Sequence, residues 1–209
     1  MKIKRFVCNA FQENAYVVSD GSNCIIIDPG FTDGELPALY DYLEAEGLTP
    51  TVILLTHSHP DHTLGLQPLV ERFGIPVLPE GAESPSGAFS RIGLQSNAEK
   101  GAFRPFRQLK LFEVIETPGH TPDSVCYYNE AEHILFTGDT LFAGTIGRTD
   151  LPGGNYDDEI RSIMEKLIFL PGETVIYPGH GPQSSIARER IQNPFLEPFN
   201  EREEIDELN

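Results

Sequence analysis

Apolar and polar positions alternate in short runs at the start of the chain. Lys2–Val7 and Asn14–Ser19 read as two strands and Cys24–Ile27 as a third, with turns at Asn9-Ala10 and Asp20-Gly21-Ser22 between them. Asp28-Pro29-Gly30 closes the third run. Leu36, Leu39, Tyr40 and Leu43 then recur at helical spacing, and Gly47 is placed to stop that helix. Val52–Leu55 is apolar throughout, the pattern of a strand covered on both faces. Leu64–Phe73 predicts a helix ended by Gly74 and Pro76. Strand-like runs return at Leu109–Glu116, Val125–Tyr128, Ile134–Phe136 and Thr174–Tyr177. Ile160–Phe169 supplies a helix before the last of these, and Ala187–Ile191 begins another. Residues 79–108, rich in Gly, Ser, Pro and Ala and without a period, predict a long surface segment flanking a site. The succession of strands and helices predicts an α/β, layered fold. No repeat or linker divides it, so a single domain over residues 1–209 is expected.

Composition narrows the function classes. The chain has 209 residues, 39 % of them hydrophobic, which suits one sizeable core. No apolar run reaches the ~18 residues of a membrane span. The opening MKIKRFVCNAFQENAYVV lacks the apolar stretch of a signal peptide and reads as the first strands, so a cytoplasmic location is expected. Three scattered cysteines, Cys8, Cys24 and Cys126, fit reduced thiols. A formal net charge of −17 argues against a nucleic-acid partner, which would demand a basic face. The acidic stretch 201–208 reads as a solvated helix end or a frayed tail, with about 200–209 exposed to solvent. The run 193–199, with Phe195, Leu196 and Phe199, suits packing on the body or on a second copy in a homo-oligomer.

Candidate chemistry collects where strands end. Leu54-Leu55-Thr56 leads to His57, Pro118-Gly119 to His120, Thr137-Gly138 to Asp139, and Pro178-Gly179 to His180. In layered α/β folds ligands gather at the carboxyl ends of strands, and Gly and Pro let the backbone turn sharply toward that rim. The richest segment is Thr56-His57-Ser58-His59-Pro60-Asp61-His62. Positions i and i+2 of an extended loop face the same way, so His57 and His59 can grip one ion. Pro60 turns the chain, and Asp61 and His62 open the next helix toward a second. His133 lacks the pattern. Asp28 suits either a turn or a carboxylate that orients a ligand, and the turn is the preferred reading.

THSHPDH at 56–62, GH at 119–120, GDT at 138–140 and GH at 179–180 resemble the metallo-β-lactamase superfamily. GDTLFAGTIGRTDLPGGN (138–155) and PGHGPQSSIARERIQNPFL (178–196) resemble its short bacterial glyoxalase II-like members, the hydroxyacylglutathione hydrolases. The resemblance implies an αββα four-layer sandwich and two divalent metal ions, zinc first, with iron or manganese open to the same ligands. It implies a first ion on His57, His59 and His120, a second on Asp61, His62 and His180, and Asp139 shared by both. It also implies hydrolysis of a small-molecule thioester or ester by a water acidified between the ions, with Asp61 orienting that water. Arg148, in Gly147-Arg148-Thr149-Asp150, could read a substrate carboxylate or pair with Asp150. Two departures stand out. The second set has no cysteine, unlike the β-lactamases. The stretch after His180 is short and acidic, unlike the basic glutathione-holding region of full-length glyoxalase II. GRTD also resembles persulfide dioxygenases, mononuclear-iron oxidoreductases of the same superfamily. A nuclease and a metal-binding scaffold are further rivals, disfavoured by the acidic surface and by the complete ligand set.

Overall fold

The structure, a computed structural model, describes residues 1–78 and 112–197. The predicted 79–108 segment, the beginning of the 109–116 run, and everything from Pro198 onward, the acidic end included, lie outside the described residues. The chain divides into two compact units, Met1–Lys110 and Leu111–Asn209.

The first unit carries a five-stranded sheet in the order β1-β2-β3-β4-β5: Lys2–Cys8, Glu13–Asp20, Asn23–Ile27, Thr49–Leu54 and Val77–Leu78. The first three strands form an antiparallel meander, while β3/β4 and β4/β5 are parallel. Parallel neighbours need crossovers. These are α1 (Leu36–Ala45) and a broken helical segment, α2 (Pro60–Thr63) and α3 (Leu66–Phe73). The predicted Leu64–Phe73 helix starts two residues late. Gly65 gives its N–H to the Pro29 carbonyl at 2.8 Å and interrupts the run there. Leu36, Leu39 and Leu43 of α1 and Leu66 and Leu69 of α3 cover Val17, Cys24, Ile26, Ile53 and Leu55. The alternate residues of the same strands, Tyr16, Val18, Ile25, Ile27, Val52 and Leu54, are buried as well. Burial on both faces is why these strands read as apolar runs and not as strict alternations. The edge strand β1 exposes Lys2, Lys4 and Arg5, charges that discourage pairing with another chain.

The second unit carries a five-stranded sheet in the order β12-β11-β8-β7-β6, with β6 at Glu113–Glu116, β7 at Val125–Asn129, β8 at Ile134–Gly138, β11 at Val175–Pro178 and β12 at Ser184–Ser185. A small ribbon, β9 (Leu141–Phe142) with β10 (Thr145–Ile146), follows β8. Two-residue strands carry too short a pattern to be read in advance. The helix predicted from Ile160 begins earlier, as α4 (Tyr156–Ser162). Its acidic first turn is capped by Asn155, whose side chain accepts from Asp158 N at 3.2 Å. A π turn at Ile163–Leu167 continues it and widens the helix, so that Ile163, Leu167 and Ile168 are all buried. They pack with Leu135, Ile176, Leu141 and Cys126, with Ile186 of α5 (Ile186–Gln192), and with Leu196. Leu196 of the 193–199 run therefore joins this core, while Phe195 stays exposed. No helix among the described residues is long and apolar enough to cross a membrane.

Candidate metal centre

In the first unit, β3 and β4 run parallel, so their carboxyl ends lie side by side. β3 delivers Asp28 and β4 delivers Thr56 and His57. His57 Nε2 lies 3.1 Å from His59 Nδ1, and the His57 and His62 rings meet at a tilt of 57° with 4.2 Å between centroids. Asp61 and His62 fall in α2 as expected, with His62 Nε2 3.8 Å from Asp61 Oδ2. His57 and His62 are buried, while His59 and Asp61 are half-buried. Imidazoles crowded nitrogen to nitrogen, with a carboxylate beside them, are an arrangement a cation satisfies.

Two carboxylates back His62. Asp28 Oδ2 is 3.2 Å and Glu13 Oε1 3.8 Å from His62 Nδ1, and all three side chains are buried. Asp28 also accepts from Thr56 N at 2.7 Å and Thr56 Oγ1 at 2.6 Å. Thr56 Oγ1 in turn meets His57 Nδ1 at 3.1 Å. The preferred sequence reading of Asp28 as a turn residue is therefore incomplete. It does occupy a left-handed turn, at φ +47°, but its carboxylate faces a candidate ligand. Gly30 keeps this corner open, because a Cβ there would overlap the Glu13 carboxylate and the Asp61 carbonyl. Glu13 was missed by sequence reasoning. Its one signal is an acid at the start of an otherwise buried strand.

In the second unit, β6, β8 and β11 all point the same way, since β7 is antiparallel to both β6 and β8 while β11 is parallel to β8. Their carboxyl ends supply His120, Asp139 and His180. At the β11/β8 end the register slips between Tyr177 and Pro178. Pro178 has no N–H to give, so Gly179 N closes on Gly138 O at 2.8 Å and His180 emerges beside Asp139. Asp139 Oδ2 lies 3.5 Å from His120 Nε2 and 3.6 Å from His180 Nε2. His120 Nδ1 sits 2.7 Å from the main-chain oxygen of Arg148. A carbonyl only accepts, so Nδ1 donates and Nε2 keeps its lone pair on the Asp139 side. Glu159, also missed, is fully buried behind this cluster. Burial pushes its carboxyl up to about 8, against the amides of His120 and Gly147, and Asp139 adds to the rise. Its signal was an acid falling one helical turn before Ile163, on the face otherwise filled by Ile163 and Leu167.

Arg148 and Asp150 form a two-pronged pair, Nε to Oδ1 and Nη2 to Oδ2 each at 2.8 Å, and both are exposed. Of the two sequence readings for Arg148, the pair with Asp150 is present. His133 lies at the edge of the second unit, 3.8 Å from Glu173, away from His120, Asp139 and His180.

A family model of the metallo-β-lactamase superfamily matches residues 8–180. This chain belongs to the metallo-β-lactamase superfamily. Among curated relatives it is similar to the probable metallo-hydrolase YqgX of Bacillus subtilis, 38 % identical over 96 % of this chain and all of that one. It is also similar to the hydroxyacylglutathione hydrolase GloC of Haemophilus influenzae, 37 % identical over 94 % of this chain and 98 % of that one. Three solved structures share the fold. The BLEG-1 B3 metallo-β-lactamase has a TM-score of 0.77 at 38 % identity, covering 93 % of this chain and 99 % of its own. TTHA1623 in a di-iron-bound form has a TM-score of 0.72 at 38 % identity, covering 92 % and 100 %. ETHE1 from Myxococcus xanthus has a TM-score of 0.76 at 29 % identity, covering 100 % and 92 %. The metallo-β-lactamase fold expected from the motifs is thus the fold of this chain, and its His and Asp groups are of the kind that bind a metal in this superfamily.

Proposed function

We propose that this chain is a cytoplasmic, hydroxyacylglutathione hydrolase-like thioesterase that uses two divalent metal ions, zinc first among them. His57, His59 and His120 would hold one ion and Asp61, His62 and His180 the other, with Asp139 shared between them. When bound, such an ion pair acidifies a water toward neutral pH and polarises the thioester carbonyl. The similarity to GloC over nearly the whole of both chains carries the substrate class. The position of Asp139 Oδ2 between two imidazole Nε2 atoms supports its shared role.

The chain's own groups divide the work. Asp61, half-buried beside His62, accepts a hydrogen bond from the attacking water and turns its lone pair toward the carbonyl carbon. Asp28 faces His62 Nδ1 at 3.2 Å, with the Glu13 carboxylate behind it, and would hold the proton there, leaving the Nε2 lone pair for an ion. Arg148 receives a carboxylate of the substrate by exchanging it for Asp150, a low-cost swap because both are solvated. A thiolate leaves without protonation, so no buried general acid is required. The buried cysteines Cys8, Cys24 and Cys126, none of them in a disulfide among the described residues, fit a reducing cytoplasm.

The deciding experiment follows the absorbance of S-lactoylglutathione with protein purified without chelator, and measures metal in the same sample. Hydrolysis with about two ions per chain supports the reading. The resemblance of Gly147-Arg148-Thr149-Asp150 to persulfide dioxygenases favours a second one. Absent hydrolysis, a single iron and oxygen uptake with glutathione persulfide would replace the first reading with that one.

A further inference from the structure

Glu159 lies on the core side of α4 with no exposed surface, on the face that Ser162 shares and that Ile163 and Leu167 continue. An apolar residue would fill this place without the desolvation that a carboxyl group brings. What the carboxylate touches explains its presence. Its Oε2 accepts the main-chain N–H of His120 at 2.8 Å. The turn before His120 presses directly on it, since a Cβ on Gly119 would overlap Glu159. The turn before Arg148 does the same from the other side. A Cβ on Gly147 would stand 2.7 Å from Glu159 Oε1 and 3.1 Å from His120 Cβ. Those two turns determine how the His120 ring stands. One carries its backbone, and the other carries the Arg148 oxygen that accepts a hydrogen bond from Nδ1 at 2.7 Å.

We infer that Glu159 is a positioning residue for His120: by clamping the Gly119 and Gly147 turns together it holds Nδ1 on the Arg148 carbonyl and so presents Nε2 as a metal donor. The inference rests on the proposed ligand role of His120 and deepens it. It separates two functions of α4. Ser162, on the same helix, donates from Oγ to Pro118 O at 2.7 Å and fastens the same loop to the helix two residues before His120. Ser162 anchors the loop, whereas Glu159 sets the ring.

The test uses the zinc-loaded full chain with Glu159→Leu, Glu159→Gln, Glu159→Asp and Ser162→Ala. Two quantities are read: zinc affinity by competition with a chromophoric chelator, and the exchange protection of the His120 Nδ1 proton by nitrogen-edited NMR. Glu159→Leu should weaken zinc binding by about 10- to 100-fold, the range for losing a group that orients a ligand, and should lose the protected proton. Glu159→Gln keeps an acceptor of the same reach and should stay within about 3-fold of the parent, short of the 10-fold lower end of that loss. Glu159→Asp keeps a carboxyl but withdraws it, and should fall between the two. Ser162→Ala should lower the melting temperature and leave both readings unchanged. A folded Glu159→Leu with parental affinity and a protected proton overturns the inference. If that variant does not fold, parental values in Glu159→Asp overturn it. Neither reading involves substrate, so a parent inactive on thioesters would end the proposed function while leaving this result standing.

Discussion

The two units assemble their candidate ligands by different routes. The first draws four of them from one heptapeptide, Thr56-His57-Ser58-His59-Pro60-Asp61-His62, so that local backbone geometry already brings the side chains together. The second draws three from strand ends that are 19 and 41 residues apart in sequence, and only the sheet unites them. The difference shows in the supports. The heptapeptide is braced by side chains from neighbouring strands, Asp28 and Glu13, acting on His62. The dispersed set is braced at its backbone turns, by the Arg148 carbonyl on the His120 ring, the Glu159 carboxyl on the His120 N–H and the Gly138 carbonyl on the Gly179 N–H. A contiguous motif tolerates small shifts of the sheet beneath it. A dispersed one depends on register, and a one-residue slip would turn a ligand to the wrong face.

Four experiments bear on that contrast. The largest effect is expected at Asp139, the only acid of the dispersed set. Asp139→Ala should remove an ion and lower turnover by more than about 100-fold, beyond the range for groups that merely orient a ligand. Full metal content in that variant, measured by elemental analysis, would end its shared role. Next comes the core beneath the contiguous motif. Leu39 is fully buried under β3 and β4, and Leu39→Ala should cost about 2–5 kcal/mol in denaturant unfolding. A loss under about 1 kcal/mol would mean that the site collapses around the gap. A smaller effect is expected at the brace. Asp28→Asn should weaken zinc binding by about 10-fold or a little more, with Glu13 still behind His62. An unchanged affinity would assign Asp28 to the turn alone. The smallest concerns the exposed pair. Arg148 hydrogen-bonds Asp150 and holds its carboxyl down at about 2. A depressed folded value contributes stability above the unfolded pKa of about 3.9 that is lost as pH falls toward 2. Both groups are fully solvated, so Arg148→Lys should leave unfolding near neutral pH unchanged. It should raise KM for an acidic thioester without moving kcat, and an unchanged KM would remove Arg148 from substrate binding.

Much of this molecule is legible in its sequence, and the gaps have physical causes. The long apolar runs of β3, β4 and β8 and the spaced leucines of α1 announce themselves because burial demands them. All seven candidate ligands are visible, four because they cluster in one heptapeptide and three because a Gly marks the strand end before each. The start of α4 was missed because an N-cap and an acidic turn, not an apolar stripe, define it. Residues such as Ser184 and Ser185 form a strand only because Val175 and Ile176 already lie beside them. Glu13 and Glu159 were missed for a deeper reason. Nothing in a local pattern distinguishes a buried acid from a solvated one until the amide or imidazole that it serves has been brought to it by the fold.

The inward placement of the three thiols has a practical consequence. Burial pushes Cys24 up to about 12 and raises Cys8 as well, so neither offers a thiolate at neutral pH. Cys126 is sealed in the second core. A reaction that liberates a thiol can therefore be followed with a coloured disulfide reagent in the presence of the protein itself. The folded chain would contribute little background, and no reductant would be needed that competes for the ions.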